Sequence, residues 1–487
     1  MTSGSEQVPA SAARIILPSG GAGKPKAHFL GVCGKGMGAI AAALAREGWR
    51  ITGSDEATYP PMDGYLATAG ISVSSPFAPG NIPDDVDLVV VGKRIRPSNP
   101  ELRHAIDAGL AWRSFPALLR DGPLRRSRNA VVAGGVGKTT TTAMLAWILE
   151  STGGRPDYMI GGFAGNFAEP ARLAGAGFAV IEGDEYASCF DDPGPKFLKY
   201  NPEVVLVTNI LEDHPDLYAG AGAVAAVFAD LVGILPANGC LILPDDDDNA
   251  VALAAASPCP VTLVGFSSGA THRIAALEGR PTESRFRFMG SDFTLPLAGR
   301  MNVMNAAMAV AAAGHLGVSA GQSAEALGLF RGVANRQEAR QVGRFTLLTD
   351  KASHPRALRQ LFESARQRFP DRRIVSIIRP RATGGREWVY QRDLPDALCG
   401  VDSVVLLPAY EHKPEPGRSW PGGPFSMELL ESELVRAGQD VVRLGADDAL
   451  ADGLRRSLRD GDVVVATLPE QDLDTGASLV RLLGERR

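Results

Sequence analysis

Residues 130–150 read AVVAGGVGKTTTTAMLAWILE: an apolar run, a glycine-rich turn, and a long helical pattern opened by Lys138 and four threonines. A strand that ends in such a turn and feeds a helix is a phosphate cradle. The glycines let backbone N–H groups crowd an anion, and the helix N-terminus meets it with partial positive charge. Gly134 and Gly137 frame the turn, Lys138 is placed to reach terminal phosphates, and Thr139, followed by Thr140, offers a hydroxyl to Mg2+. The spacing Gly134-x-x-Gly137-Lys138-Thr139 is two residues shorter than the general Gly-x4-Gly-Lys-Thr loop. A chance Gly-Lys-Thr in an unrelated turn is the competing reading, and the strand before it and helix after it argue against that.

Outward from the loop, FAVIEGD (178–184) and EVVLVTN (203–209) are apolar runs of strand length, and NVMNAAMAVAAAGHLG (302–317) is a helical pattern. IEGDEY (181–186) puts carboxylates at a strand's C-terminal end, where α/β folds bind ligands. Mg2+ takes hard oxygen ligands and keeps waters, so Glu182 with Thr139 and phosphates would suffice. An exposed acidic turn is the plainer reading of that segment alone. TNILEDHPDLY (208–218) also follows a strand; His214 there is a candidate for metal or phosphate contact, against the bland alternative of a helix-start histidine. The run Asp245–Asp248 reads as a solvated turn beside a strand.

Upstream, HFLGVC (28–33) leads into Gly34-Lys35-Gly36-Met37-Gly38 and an Ala-rich helix to about Glu47, then RITGSD (50–55) and DLVVVG (87–92). Gly34, Gly36 and Ala39 satisfy G-x-G-x-x-A, with Asp55 on the next strand, so a pyrophosphate-containing ligand is expected there. The motif alone does not separate a nicotinamide dinucleotide from a UDP-sugar. Downstream, FTLLTD (345–350), RIVSII (373–378), SVVLLPA (403–409) and DVVVATL (462–468) read as strands of a third block. Strands alternating with helices predict an α/β protein with parallel sheets. The expected organisation is a flexible lead-in at 1–25, a Rossmann-like domain at 26–125, a central ATPase-like domain at 126–338 and a second Rossmann-like domain at 339–487.

The 487 residues suit three domains better than one. A net charge of −5 argues against a broad nucleic-acid surface. Apolar stretches break well short of about 18 residues, so no membrane span is expected, and residues 1–25 lack the pattern of a signal peptide. The five cysteines, Cys33, Cys189, Cys240, Cys259 and Cys399, lack CxxC spacing and fit reduced thiols in a cytoplasm. No internal repeat is visible, and no interface face, hence no oligomeric state, can be read.

Two phosphate-binding turns in consecutive α/β domains, followed by a third domain, resemble the Mur ligases. The match is nearest to the branch that joins a cell-wall tripeptide to UDP-N-acetylmuramate. HFLGVCGKGMGAIA, TGSDEATYPPM, IGGFAGNF (160–167), IEGDEY, KFLKYNP (196–202), the TN…DH segment and GRMNVMNA (299–306) carry the resemblance, which covers roughly residues 27–360. The sister family that adds L-alanine to the same nucleotide shares much of it. The resemblance implies that ATP phosphorylates a carboxylate and that an amine displaces the phosphate. It implies Lys138 with Mg2+ held by Thr139, Glu182 and His214, Arg336 as the junction arginine, and Asn302, Asn305 and Asp350 in the adenine-nucleotide set. Gly34, Lys35, Gly36, Met37, Ser54 and Asp55 would hold the UDP end. The last domain would take the amino acid or short peptide, and its closure would exclude water.

There are departures from the family pattern. Its Thr-His before Gly-Lys-Thr is here Gly135-Val136. The opening of the third domain reads Thr349-Asp350-Lys351-Ala352-Ser353-His354-Pro355, one carboxylate and one imidazole short. Pro-Arg-Ser-Asn-Thr becomes Pro380-Arg381-Ala382-Thr383-Gly384, LPEQDLDTG (468–476) replaces a Gly-rich segment, and Lys93 stands where an asparagine is usual. These changes cluster in the domain expected to choose the amine, so the reading is a working ligase whose second substrate is left open, the standard tripeptide or another amine. The main competitor is a degenerate nucleotide-binding homologue with a regulatory or partner role. A nicotinamide-dependent oxidoreductase rests on the first glycine turn alone and leaves the Gly-Lys-Thr loop unexplained.

Overall fold

The computed structural model describes residues 24–58, 60, 62–212, 218, 220–380, 388–409, 425–445, 450–468 and 473–484. They gather into two compact units, one holding residues up to 210 with 224–273 and 306–326, the other holding 211–223, 274–305 and 327 onward.

The first unit contains two sheets. Strands β1 (Lys26–Leu30), β2 (Arg50–Ser54), β3 (Ser72–Ser74), β4 (Leu88–Val91) and β5 (Trp112–Ser114) form an all-parallel sheet in the order β3-β2-β1-β4-β5. Strands β6 (Arg128–Ala133), β7 (Asp157–Met159), β8 (Ala171–Arg172), β9 (Phe178–Glu182), β10 (Pro202–Val207), β11 (Cys240–Pro244), β12 (Val261–Gly265) and β13 (His272–Arg273) form an eight-stranded sheet. Its order is β13-β12-β11-β10-β6-β9-β7-β8, with only β8 antiparallel. The central strands are buried along nearly their whole length, as parallel strands covered on both faces must be. The helix Lys35–Arg46 is buried continuously from Met37 to Leu44 because it packs on β2 and also meets β7 and β8. Arg46 fixes its end through an ion pair to Glu169, 2.6 Å.

The second unit holds an antiparallel sheet of β14 (Ala275–Gly279), β15 (Ser284–Phe288) and β16 (Ser291–Leu295). It also holds a six-stranded sheet of β17 (Glu338–Val342), β18 (Phe345–Thr349), β19 (Ile374–Ile378), β20 (Ser403–Leu406), β21 (Asp440–Arg443) and β22 (Val463–Thr467). The order is β17-β18-β22-β19-β20-β21, parallel except for β17. Alternate residues feed two cores. Val404, Leu406 and Val463 pack with Leu358, Phe362 and Leu430, while Val405, Val464 and Ala466 pack with Leu454, Leu479 and Leu483. Helices thus cover both faces, and the α/β reading with parallel-dominated sheets holds. The small antiparallel sheet and the antiparallel edges β8 and β17 are additions to it.

The acidic run Asp245–Asp248 is not simply a solvated turn. Asp247 is buried, and its side chain caps the helix Asp248–Ala252 by accepting from Ala250 N at 3.0 Å. Asp245 accepts from Ser267 N at 2.7 Å.

Candidate active site

Three neighbouring strands of the eight-stranded sheet, β10, β6 and β9, end together, and the chemistry-bearing residues leave from those ends. β6 runs into the glycine loop. Gly134 has φ +129°, and a Cβ there would stand 2.3 Å from Thr208 Oγ1 and 2.8 Å from Asn209 O, so no larger residue fits. Gly137, at φ +91°, is the left-handed cap of the helix Lys138–Ser151 and brings no side chain to the first helical N–H groups. Those groups have no acceptor within the helix, which is the arrangement that receives phosphate oxygens. Thr139 and Thr140 are both buried in that first turn.

Lys138 donates to Gly134 O and lies 3.1 Å from Glu185 Oε2. Burial opposes its charge, but Glu185, Asp184 and Glu182 outweigh that and hold its pKa above the ordinary lysine value. Thr139 Oγ1 donates to Glu182 Oε1 at 3.1 Å, and Gly161 N donates to Glu182 Oε2 at 2.7 Å. A hydroxyl and a carboxylate side by side, next to a phosphate cradle, are the hard oxygen donors Mg2+ prefers. Among the described residues no group of three histidine, cysteine, aspartate or glutamate side chains forms a metal cluster, and His214 lies outside them. The residues present fit Mg2+ bound jointly with phosphates.

β10 ends in Thr208 and Asn209, and these shape the loop. Asn209 Oδ1 accepts from Gly135 N at 3.1 Å and Val136 N at 2.9 Å, while Asn209 Nδ2 donates to Val136 O at 2.7 Å. Thr208 Oγ1 donates to the same carbonyl, 2.7 Å. Asn209, Glu185 and Gly161 escaped the sequence reading as site residues, although all three lie in segments it quoted. Asn209 stood in the Thr-Asn pair at a strand end, Glu185 in IEGDEY, and Gly161 in the Gly-Gly of IGGFAGNF.

The glycine turn of the first sheet follows β1 in the same unit. Gly31 N and Val32 N donate to Ser54 O, and Cys33 N donates to Asp55 Oδ2 at 2.8 Å. Asp55 therefore shapes the turn, and burial raises its pKa. A Cβ at Gly38 would meet Met62 Cε at 2.3 Å. The helix begins at Lys35, with Gly34 as an extended cap, so Gly34, Lys35 and Gly36 line its N-terminus while Met37 is buried beneath. Ser54 is fully buried: its hydroxyl is 2.9 Å from His28 Nε2, which is also 3.2 Å from Glu101 Oε2. Ser54 acts on the turn from below, through its carbonyl.

In the second unit, Arg336 is half-buried between Asn335 (φ +55°) and Gln337 (φ +50°), two non-glycine residues in the left-handed region, a form of strain that concentrates at functional sites. Asp350 accepts from Gln337 N and Ala352 N, both 2.8 Å. Burial raises its pKa, and the Arg336 charge opposes that. Asn302 Nδ2 donates to Ala298 O at 2.7 Å and Gln337 Oε1 at 3.2 Å. Asn305 is buried, and among the described residues its Nδ2 has no hydrogen-bond partner, an unspent buried donor. At the start of the third block the retained His354 caps the helix Pro355–Arg368, and of the departures further on, Ala382, Thr383 and Gly384 lie outside the described residues.

Fold and site together define a phosphate-loop α/β protein. The Mur ligase family catalytic-domain description matches residues 26–121, and the Mur ligase middle-domain description matches 132–313. A ligase of Haemophilus influenzae, UDP-N-acetylmuramate–L-alanyl-gamma-D-glutamyl-meso-2,6-diaminoheptandioate ligase, is 36% identical over 223 residues, 46% of this chain and 49% of that protein. The chain thus spans about half the length of that relative. A UDP-N-acetylmuramate–L-alanine ligase of Rubrobacter xylanophilus is 33% identical over 406 residues, 81% of this chain and 87% of that protein. The crystal structure of a murein peptide ligase from Psychrobacter arcticus superposes with a TM-score of 0.70 at 26% identity, covering 95% of this chain and 99% of that one. The chain belongs to the Mur ligase family.

Proposed function

We propose that this protein is an ATP-dependent ligase that joins the carboxylate of UDP-N-acetylmuramate, or a related UDP-linked acid, to the amine of an amino acid or short peptide in the cytoplasm. The observation that carries the reading is the convergence of Lys138, Thr139 and Glu182 at adjacent strand ends of a Mur-family chain.

ATP with Mg2+ supplies the phosphoryl group that turns the acid's carboxylate into an acyl phosphate, which an amine can displace. The chain's own residues prepare that exchange. Lys138 keeps its charge throughout the physiological range because three carboxylates surround it, so it can meet the negative oxygens of transfer. Thr139 and Glu182 offer oxygens to Mg2+, and Gly161 N holds Glu182 in place. The N–H groups of the Gly137 turn and helix start bind phosphate. Asn305, with Asn302 and Asp350, is assigned to the adenine nucleotide, and Arg336 and His214 to the transferring charge; for all of these but Asn305 the family resemblance is the main support. The turn from Gly34 to Met37, shaped by Asp55 and Ser54, is assigned to the UDP diphosphate.

The wide match to an L-alanine ligase makes L-alanine one candidate amine, beside the tripeptide named in the Haemophilus relative. The test is phosphate release from ATP with Mg2+ and UDP-N-acetylmuramate, scanned over amino acids and peptides, with Lys138→Ala as control. Release that requires both acid and amine, and disappears in the variant, supports the ligase. ATP binding without release for any amine favours the nucleotide-binding homologue instead.

A further inference from the structure

Lys93 leaves strand β4 directly after Gly92, whose N–H is bonded to Leu30 O of β1 at 3.0 Å. β1 and β4 are the neighbours between which this sheet reverses its direction of growth, and open α/β sheets seat ligands outside the strand ends at that reversal. The crevice therefore has two walls. One is the glycine turn after β1. The other is Gly92-Lys93. They pack closely, since a Cβ on Gly92 would lie 3.5 Å from Met37 Cε.

The Lys93 ammonium sits 3.5 Å from the centre of the Tyr186 ring, in the IEGDEY segment of the other sheet of this unit. Lys196 Nζ is 5.8 Å from the same ring and 5.4 Å from that of Phe115. Phe115 in turn lies under the glycine turn, where a Cβ on Gly36 would be 3.7 Å from its Cζ. Two ammonium groups are thus gathered around one aromatic platform beside the turn. Lys196 is balanced by Asp184 at 2.8 Å. A cation over a ring face is attracted to it and loses freedom to wander. Lys138 already serves the phosphate loop, so that loop does not account for Lys93.

We propose that Lys93 is a positioning residue for the diphosphate of the UDP-linked acid, adding a cation from the β4 wall of the crevice to the N–H groups of the glycine turn. The proposal rests on the acid-substrate reading above and assigns a residue that reading did not use.

Calorimetric titration of UDP, UDP-N-acetylmuramate and ATP into the full chain, its Lys93→Met variant and its Lys93→Arg variant tests it. The methionine variant should bind UDP and UDP-N-acetylmuramate roughly ten-fold more weakly, with a shallower salt dependence, because one charge-assisted contact is gone. ATP binding should be unchanged, and arginine should restore most of the affinity. Unchanged UDP binding in the methionine variant overturns the proposal; if UDP-N-acetylmuramate alone weakens, Lys93 serves the carboxylate end instead. An equal loss for all three ligands reduces Lys93 to a structural strut and also overturns it. Failure of the unaltered protein to bind UDP removes the acid-substrate reading, and this proposal with it.

Discussion

Gly161→Ala perturbs the candidate metal carboxylate without touching it chemically. An added Cβ would lie 2.4 Å from Glu182 Oε1, 2.6 Å from Oε2 and 2.7 Å from Cδ. Ordinary contact begins near 3.4 Å, so the carboxylate must retreat by about 1 Å, away from Thr139 Oγ1 and from the N–H that orients it. The backbone at Gly161 does not need a left-handed conformation, and the position is exposed, so the fold should tolerate alanine. A displacement of that size in a group that positions a reacting centre costs on the order of 100-fold in rate. Steady-state phosphate release should therefore fall by about 100-fold, with the thermal unfolding midpoint within about 3 °C of the unaltered protein, as for a surface change well under 1 kcal/mol. Activity within three-fold of the unaltered protein would refute the claim that Glu182 works from the place it holds here.

Asn209→Ala removes the acceptor shared by Gly135 N and Val136 N, and the ATP dissociation constant should rise about ten-fold by titration calorimetry while UDP binding stays unchanged. Gly299→Ala combines φ +98° with a Cβ only 1.9 Å from Ser364 Oγ; it should destabilise the second unit by about 3 kcal/mol, read as a lowered denaturant midpoint. Burial pushes the Cys33 thiol up to about 11 and the Cys189 thiol up to about 12, so at pH 8 their thiolate fractions are about one part in a thousand or less. Exposed Cys399 should therefore be alkylated first under native conditions, and Cys33 and Cys189 only on unfolding or as pH rises toward those values, as mass mapping can establish.

Parallel strands such as β6, β10 and β22 were legible because burial on both faces leaves an unbroken apolar run. The loop from Gly134 to Thr139 was legible because its chemistry is local to six residues. β15 was not, although Ser284-Arg-Phe-Arg-Phe288 alternates buried and exposed positions; its outward arginines interrupt the apolar run that marked the other strands. The partnerships of Asn209 with the loop and of Gly161 with Glu182 depend on β10, β6 and β9 becoming neighbours in a non-sequential order. A single sequence does not state that order. Ser54 shows a related limit: its position at the end of β2 was visible, but its burial against His28 required the pairing of β1 with β2.

The most direct test of the central claim replaces the unknown amine with hydroxylamine. The protein is incubated with ATP, Mg2+ and UDP-N-acetylmuramate, and the products are examined by mass spectrometry for a hydroxamate of the acid. The ligase account predicts that hydroxamate together with ADP, both absent in Lys138→Ala. ATP binding with no hydroxamate, from UDP-N-acetylmuramate or any related UDP-linked acid, would contradict it.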